Sequence, residues 1–459
     1  MSGRIWTGIA ASYLVLCLLF GGASAAGALA NAFLQALAVI LVLALLWSGR
    51  LTIPGHGRLL FLAVGLFLLV GLATLIPLPL AVWSSLPFRG HLAEELRLLG
   101  IEAGSLAMSL APSGTIVSLL ALLPPTAMFL LTAALPADRR GWLFGTLVAT
   151  TILSISLGVV QLLGGPQSGM RFYEITNDMS AVGLFANVNH NVTLALCTLP
   201  CLAAFAARFT SRRERSRRSG AFIISIACVV FIVLGIVLMR SMAGYALLLP
   251  ALAGSALIYW RAIVARIAWG WRIAIAALGV AFIALALLGP LSQQKLSDKF
   301  DDSPTSRRVI AETTLGPVAD SFPVGTGLGS FADVYRRYQD PDAATNEFVN
   351  HAHNDHLEIA LELGLPGLLI LLIFILWWAG RSLRIWRDDF PNAASARAGS
   401  VIIAMVLLHS LVDYPIRTAA IAAVFAMGCA LMLPPRPSAR LEQQREHARG
   451  RHLKVGVEA

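Results

Sequence analysis

Apolar residues fall in runs of about twenty along almost the whole chain, and polar residues are confined to the intervals between them. A helix rises about 1.5 Å per residue, so a run of that length matches the ~30 Å hydrocarbon core of a bilayer. The pattern predicts membrane helices over residues 7–25, 30–48, 59–77, 115–136, 142–163, 181–207, 220–239, 242–260, 273–290, 362–380, 396–412 and 418–434. The fold class expected is an all-α polytopic membrane protein of about twelve transmembrane helices. Two intervals on one side are long. Residues 78–114 read as a short amphipathic hairpin, and Leu291 to Leu361 forms one large polar loop. The first run follows a single Arg4 and resembles a signal peptide, but a second run begins almost at once. It is therefore read as a retained first helix.

Composition agrees with that pattern. The chain is 57% apolar and 13% charged, against roughly 45–50% and 25% in soluble domains. The net charge of +10 does not point to nucleic acid, because the basic residues sit in short clusters between apolar runs. Their distribution is a topology signal. One side of the predicted helices carries 24 Lys and Arg and the other 11. The positive-inside rule then puts both termini in the cytoplasm and the Leu291–Leu361 loop on the outer side of the membrane. The chain divides into N-terminal helices over 1–180, a transmembrane domain over 181–434 that includes loop 291–361, and a basic cytoplasmic tail over 435–459. That tail is polar enough to be disordered or to lie on anionic lipid. The five cysteines all fall inside apolar runs without metal or redox spacing, and read as small apolar residues.

Chemistry concentrates where the large loop meets the next helix, at His351-Ala352-His353-Asn354-Asp355-His356. Solvated imidazoles at a loop end are one reading. A metal site is a second, because His351, His353, Asp355 and His356 spell the HxHxDH pattern of metallo-β-lactamase-fold hydrolases. That pattern needs a sandwich of well over 100 residues, however, and this loop is too short to hold one. No metal and no cofactor are expected. A single general-base histidine is the third reading, since an imidazole titrates near neutral pH. Arg240 lies in a two-residue turn between apolar runs at the outer face, where it either snorkels to the interface or meets an anion. Arg307, Arg308 and Arg171 are further outer-side arginines suited to a diphosphate; Arg336 and Arg337 read as a solvated face. Asn187, Asn189 and His190, at the start of the sixth run, either bond across helices or line the site. Asp413 and Arg417 flank Pro415 and are expected to pair with each other. Gly325-Thr326-Gly327-Leu328-Gly329 has no βαβ context, and reads as a tight turn that packs the loop onto the helices.

Several of these pieces together resemble the O-antigen ligase and O-antigen polymerase superfamily. His353-Asn354, nine residues, Gly364, two residues and Gly367 have the form of its H-N-x9-G-x-x-G signature. Gly183-Leu184-Phe185-Ala186-Asn187-Val188-Asn189-His190 resembles its G-x-F-x-N-P-N-H stretch, with Val188 where proline is usual. Arg240-Ser241 resembles an S-R-[SG] stretch, with Met239 in place of serine. Arg308 before Pro323 and the glycine turn, and His409 through Pro415, resemble two further family elements. The resemblance covers about residues 180–420. It implies an inverting, metal-independent transfer of a glycan from undecaprenyl diphosphate to an acceptor hydroxyl, on lipid A core, on a growing glycan or on protein. It also implies that His353 acts near the acceptor and that two arginines, Arg240 and Arg308, hold the diphosphate. Asn354 and His356 would line the site. The expected partners are thus a lipid-linked glycan donor, a lipid A core or glycan acceptor, and membrane lipid, with no nucleic acid. The rival class is a transporter or flippase. Against it, the two halves show no repeat, polar residues gather at the outer face, and acidic residues within the predicted spans are almost absent.

Overall fold

The computed structural model describes residues 3–23, 28–50, 55–210, 215–263, 307–343 and 348–435. The ninth expected span, the start of the large loop and the basic tail beyond Pro435 lie outside these residues.

The described chain is almost wholly helical. Its helices are α1 (Gly3–Phe20), α2 (Ala28–Trp47), α3 (Arg58–Ala73), α4 (Leu80–Ser84), α5 (Arg89–Leu98), α6 (Pro112–Leu120), α7 (Leu123–Ala134) and α8 (Ala137–Leu163). They continue with α9 (Val188–Thr210), α10 (Arg215–Leu238), α11 (Met242–Ile263), α12 (Arg307–Ser321), α13 (Phe331–Tyr338), α14 (Asp355–Arg387), α15 (Ala393–His409) and α16 (Ala419–Leu431). Among the described residues, seven stretches are long and apolar enough to cross a membrane: α1, α2, Pro112–Ala134, α8, Val188–Arg208 of α9, Met242–Trp260 of α11, and α14. Four shorter apolar helices (α3, Phe222–Leu238 of α10, α15 and α16) coincide with further expected spans. The chain is a polytopic all-α membrane protein.

Helix α9 is the hub. Its spanning stretch is 89% buried, where most others keep an apolar face outward, and it packs against α8, α10, α11 and α15. With no water in the hydrocarbon, its polar side chains must find partners in neighbouring helices. Thr198 bonds Thr151 at 2.7 Å, Asn191 accepts from Ser154 at 2.8 Å, and Thr193 meets His409 Nδ1 at 2.8 Å. Small residues bring α15 onto α16: a Cβ on Gly399 would lie 2.4 Å from the Gly428 carbonyl oxygen.

Two helix starts differ most from the sequence pattern, for physical reasons. The expected helix over 181–207 begins only at Val188, because Gly183 takes φ +61° and its N–H donates to Gln161 of α8 at 2.8 Å. The expected helix over 362–380 begins a full two turns earlier, at Asp355, where the Asn354 side chain accepts from the His356 and Leu357 amides, both at 3.0 Å. Its regular course breaks at Gly364 (φ +56°, ψ −140°), and Pro366 opens the second half.

The hairpin expected over 78–114 is present as strands Pro77–Pro79 and Ser105–Ala107, paired antiparallel, with α4 and α5 between them. It joins α12, α13 and the glycine turn in a cap with its own small core of Ile310, Phe331, Val334, Tyr335, Ala352 and Leu361. Arg89, fully buried, ties this cap together by donating to the carbonyls of Met108 and Gly325. Desolvation pulls its pKa down to about 10, so the guanidinium stays charged at neutral pH.

Candidate functional site

The cap closes over the ends of α9, α14, α15 and α16, and two buried ionic clusters meet there. The first centres on Asp413, in the turn between α15 and α16. This carboxylate is fully buried and accepts from Arg307 Nη2 at 2.9 Å and from the Tyr414 amide at 2.9 Å. His353 Nδ1 lies 3.5 Å from its Oδ1, and His190 Nε2 lies 4.0 Å away. Burial raises the carboxyl, but the contact with His353 and the charge of Arg307 outweigh it and hold Asp413 well below the usual carboxylate range. The Tyr414 ring organises the imidazoles around it, with centroid distances of 4.5 Å to His351, 4.9 Å to His353 and 5.1 Å to His190.

The second cluster centres on Arg417. Asp355, Glu358 and Glu362 stand on one face of the first turns of α14, spaced by three and four residues. The Arg417 guanidinium reaches all three, at 3.3, 3.4 and 3.1 Å. Burial works against its charge, but the carboxylates prevail and push its pKa upward. Each acid has a second partner. Ser410 donates to Asp355 at 2.7 Å, His351 Nδ1 meets Glu358 at 2.8 Å, and the Gly329 amide donates to Glu362 at 2.7 Å. Asp355 and Glu358, which the sequence pattern left outside the spans, are thus drawn with Glu362 onto a buried helix face and paired. Asp413 and Arg417 do not pair with each other, contrary to expectation. They face opposite ways from the turn, Asp413 toward α12 and Arg417 toward α14.

The four residues of the metal-like pattern do not converge. His351 goes to Glu358, His353 to Asp413, and Asp355 to Arg417 and Ser410. Among the described residues no three His, Cys, Asp or Glu side chains come together in a metal-ligating arrangement.

Backbone strain coincides with two of the expected site residues. Four non-glycine residues among those described have positive φ, and His353 (+50°) and Arg240 (+52°) are two of them. A side chain in this region costs of order 1–3 kcal/mol, and such strain clusters at functional sites. At His353 it turns the imidazole out of the path of the helix that Asn354 starts. At Arg240 it forms the tight turn between α10 and α11, with the guanidinium exposed. The neighbouring Ser241 hydroxyl donates to Asn189 at 2.8 Å, which fixes this turn beside the His190 end of α9.

The remaining expected residues separate by role. Arg307 reaches into the first cluster, whereas Arg308 points outward, 76% exposed, and bonds Glu312 one turn on at 2.9 Å. Arg171 donates to the carbonyls of Asn177, Asp178 and Ser180, so it holds its own loop together. Asn187 caps α9 by accepting from the Asn189 amide at 2.9 Å. His190 is buried with neither ring nitrogen hydrogen-bonded. Asn354 is a helix cap, and His356, half-buried, follows it on α14. Arg337 forks onto Glu95, and Arg336 lies over the Phe348 ring at 4.6 Å. Sequence reasoning did not find the joint role of Asp413 and Tyr414. The signal available was a carboxylate next to an aromatic ring in a short outer turn.

The glycines of the resemblance have physical explanations here. The Gly325–Gly329 run takes positive φ at each of its three glycines, and the Thr326 and Gly327 amides donate to the Leu361 and Glu362 carbonyls at 2.9 and 2.7 Å. A Cβ on Gly364 would come within 2.2 Å of the Pro323 carbonyl oxygen. The loop therefore docks on α14 where that helix breaks, as a packing turn.

Residues 226–372, about a third of the chain, match the family model described as O-Antigen ligase. The matched stretch runs from α10 through His353 to the middle of α14, so this part of the chain is similar to O-antigen ligases. This supports an O-antigen ligase-like enzyme of the cell-envelope polysaccharide pathway. No curated protein matches the chain.

Proposed function

We propose that the protein is an inverting glycosyltransferase that moves a glycan from undecaprenyl diphosphate to an acceptor hydroxyl at the outer face of the bacterial inner membrane. The observation that carries this reading is one carboxylate, Asp413, shared between an imidazole and an arginine. A base and an anion-binding group are thereby held side by side at the membrane surface, where a lipid-linked diphosphate lies.

In this reading His353 turns Nδ1 toward Asp413 and leaves Nε2 for the acceptor. Asp413 orients the ring and stabilises the imidazolium that forms. The acceptor O–H gives its proton to Nε2 as the oxygen attacks the anomeric carbon from the face opposite the diphosphate. The bond from that carbon to the phosphate oxygen breaks, and the electron pair leaves on undecaprenyl diphosphate, so the anomeric centre inverts. Arg307 and Arg240 meet the charge that grows on the leaving group. Arg307 replaces Arg308 as the preferred partner of Arg240, because it shares Asp413 with His353 and only one of its donors is engaged there, whereas Arg308 points outward. No step in this scheme requires a metal. The bilayer confines the donor and lowers the entropic cost of encounter.

The domain reading goes with this function: helices 1–180 as a scaffold, 181–434 as the transferase domain, 435–459 as a cytoplasmic tail. The test is transfer by purified protein from an undecaprenyl-diphosphate oligosaccharide to lipid A core, glycan and peptide acceptors, in excess chelator. A product with inverted anomeric configuration is expected with one acceptor class. Absence of transfer to every acceptor, with movement of the lipid-linked glycan across vesicles, would replace this reading with a flippase.

A further inference from the structure

A second site lies at the other ends of the same helices. The final turns of α14 and α16, the start of α15 and the start of α8 enclose a cavity of about 220 Å³. Three arginines line it, Arg140, Arg381 and Arg384, against one acid, Asp388. The rest of the lining is largely apolar and includes Phe390 and Leu431. Arg140 is 3% exposed, and its buried Nε has no partner, although Nη1 donates to the Leu433 carbonyl at 2.9 Å. Arg381 donates once, from Nε to the Met432 carbonyl at 2.8 Å. Arg384 lies one turn on, on the same side of α14. Asp388 is the one acid among the residues that line the pocket. An excess of two positive charges in an apolar pocket is costly without an anion.

The pocket is far from the chemistry. Asp355 and Arg381 are 26 residues apart on α14, or roughly 40 Å along a helix. That is the distance from one bilayer surface to the other, headgroup regions included. The protein's own tail is a poor occupant, since residues 436–459 contain six Lys and Arg against three acids. A solute anion would not need the apolar lining.

We propose that this pocket binds the phosphate of an anionic phospholipid in the leaflet opposite the candidate active site, with its acyl chains along the apolar lining. The phosphodiester oxygens meet the forks of Arg381 and Arg384 and the buried Nε of Arg140, geometry that arginine suits better than lysine. Basic pockets between membrane helices at this depth recognise lipid headgroups by the same physics.

The test is native mass spectrometry and thermal unfolding of the full-length protein in detergent, titrated with phosphatidylglycerol, cardiolipin, phosphatidylcholine or inorganic phosphate. The wild type should retain anionic lipid and be stabilised by it, but not by phosphatidylcholine or phosphate. Arg381→Gln/Arg384→Gln should weaken anionic-lipid binding by roughly tenfold or more, and Arg384→Gln alone should weaken it less. Arg384 is exposed and Arg381 half-buried, and neither takes part in the bond from Arg140 to Leu433. Equal lipid retention by wild type and Arg384→Gln would overturn the site. So would equal stabilisation by phosphatidylcholine, or saturation by inorganic phosphate alone.

Discussion

At the scale of single residues, the candidate site assigns separable tasks to groups of similar chemistry. His353→Ala should leave donor binding intact and lower turnover by roughly 10²–10⁴-fold, the range for a lost general base. His356→Ala should have much less effect. His351→Ala, which removes a partner of Glu358, should act on thermal stability more than on turnover. Comparing turnover with donor affinity across the three variants decides the matter, and a dead His356→Ala beside an active His353→Ala would show that the wrong imidazole was chosen. The two adjacent arginines should divide as well. Arg307→Ala should weaken donor binding and turnover together, by roughly 10–100-fold for lost charge-assisted bonds. Arg308→Ala should change either by less than about threefold, as expected for an exposed pair. Asp413 adds a pH argument. Its folded pKa is held below the unfolded value of about 3.9. Its contribution to stability is therefore complete above that value and lost only as pH falls through the folded value. A fall in activity between pH 7 and 5 cannot come from protonating Asp413. Asp413→Asn keeps the shape but removes the charge that orients the His353 ring, so turnover should drop with donor affinity little changed. Unchanged turnover would separate Asp413 from the base.

At the scale of elements, α14 carries the most informative constraints. Its first turns present three carboxylates that one guanidinium neutralises. Arg417→Ala leaves them buried without their shared cation, at a cost of about 3–5 kcal/mol by analogy with broken buried pairs. The expected result is loss of folded protein from membranes. A variant that folds with wild-type thermal stability would mean that the acids protonate or reach water. Gly364→Ala should be similarly severe for steric reasons, since the new Cβ meets the Pro323 carbonyl while the backbone keeps a left-handed φ. Alanine at Gly380, where an added Cβ meets nothing, is the matched control. Here the limits of sequence reading are plain. Periodicity located the helix but began it at residue 362 instead of Asp355, because hydropathy counts Asp355 and Glu358 as solvent-seeking. Their burial depends on Arg417, more than fifty residues away, and no local pattern encodes that pairing. The same blindness paired Asp413 with Arg417 on proximity in sequence. What was legible had local causes: the apolar runs and the glycine turn.

At the scale of the whole molecule, the helices sort polar chemistry to their two ends. The histidines and Asp413 lie at one end of α14 and α15, and the arginine pocket lies at the other. Under the positive-inside rule, the charge asymmetry of 24 against 11 predicts a periplasmic histidine end. A cysteine at exposed Asp342 should then be labelled by an impermeant thiol reagent in cells with a permeabilised outer membrane. Labelling only after rupture of the inner membrane would invert the orientation. The family match covers α10 to mid-α14, yet His190, Asp413 and Arg417 come from outside it. The matched segment supplies the candidate base, and flanking helices supply the residues that hold it in place.

The break at Gly364 also bears on how the protein meets its solvent. From Gly364 to Arg381 the helix advances seventeen residues, about 26 Å, slightly less than the ~30 Å of an average hydrocarbon core. Below this length lies a ring of arginine forks and above it the docked cap, and neither end slides easily into oil. The segment thus behaves as a ruler, and the membrane is the object measured against it. Catalysis should depend on acyl-chain length as well as on substrate. In vesicles of graded thickness, turnover should peak where the hydrocarbon matches the ruler and fall on both sides, as stretched or compressed lipid strains the joint on which the cap rests.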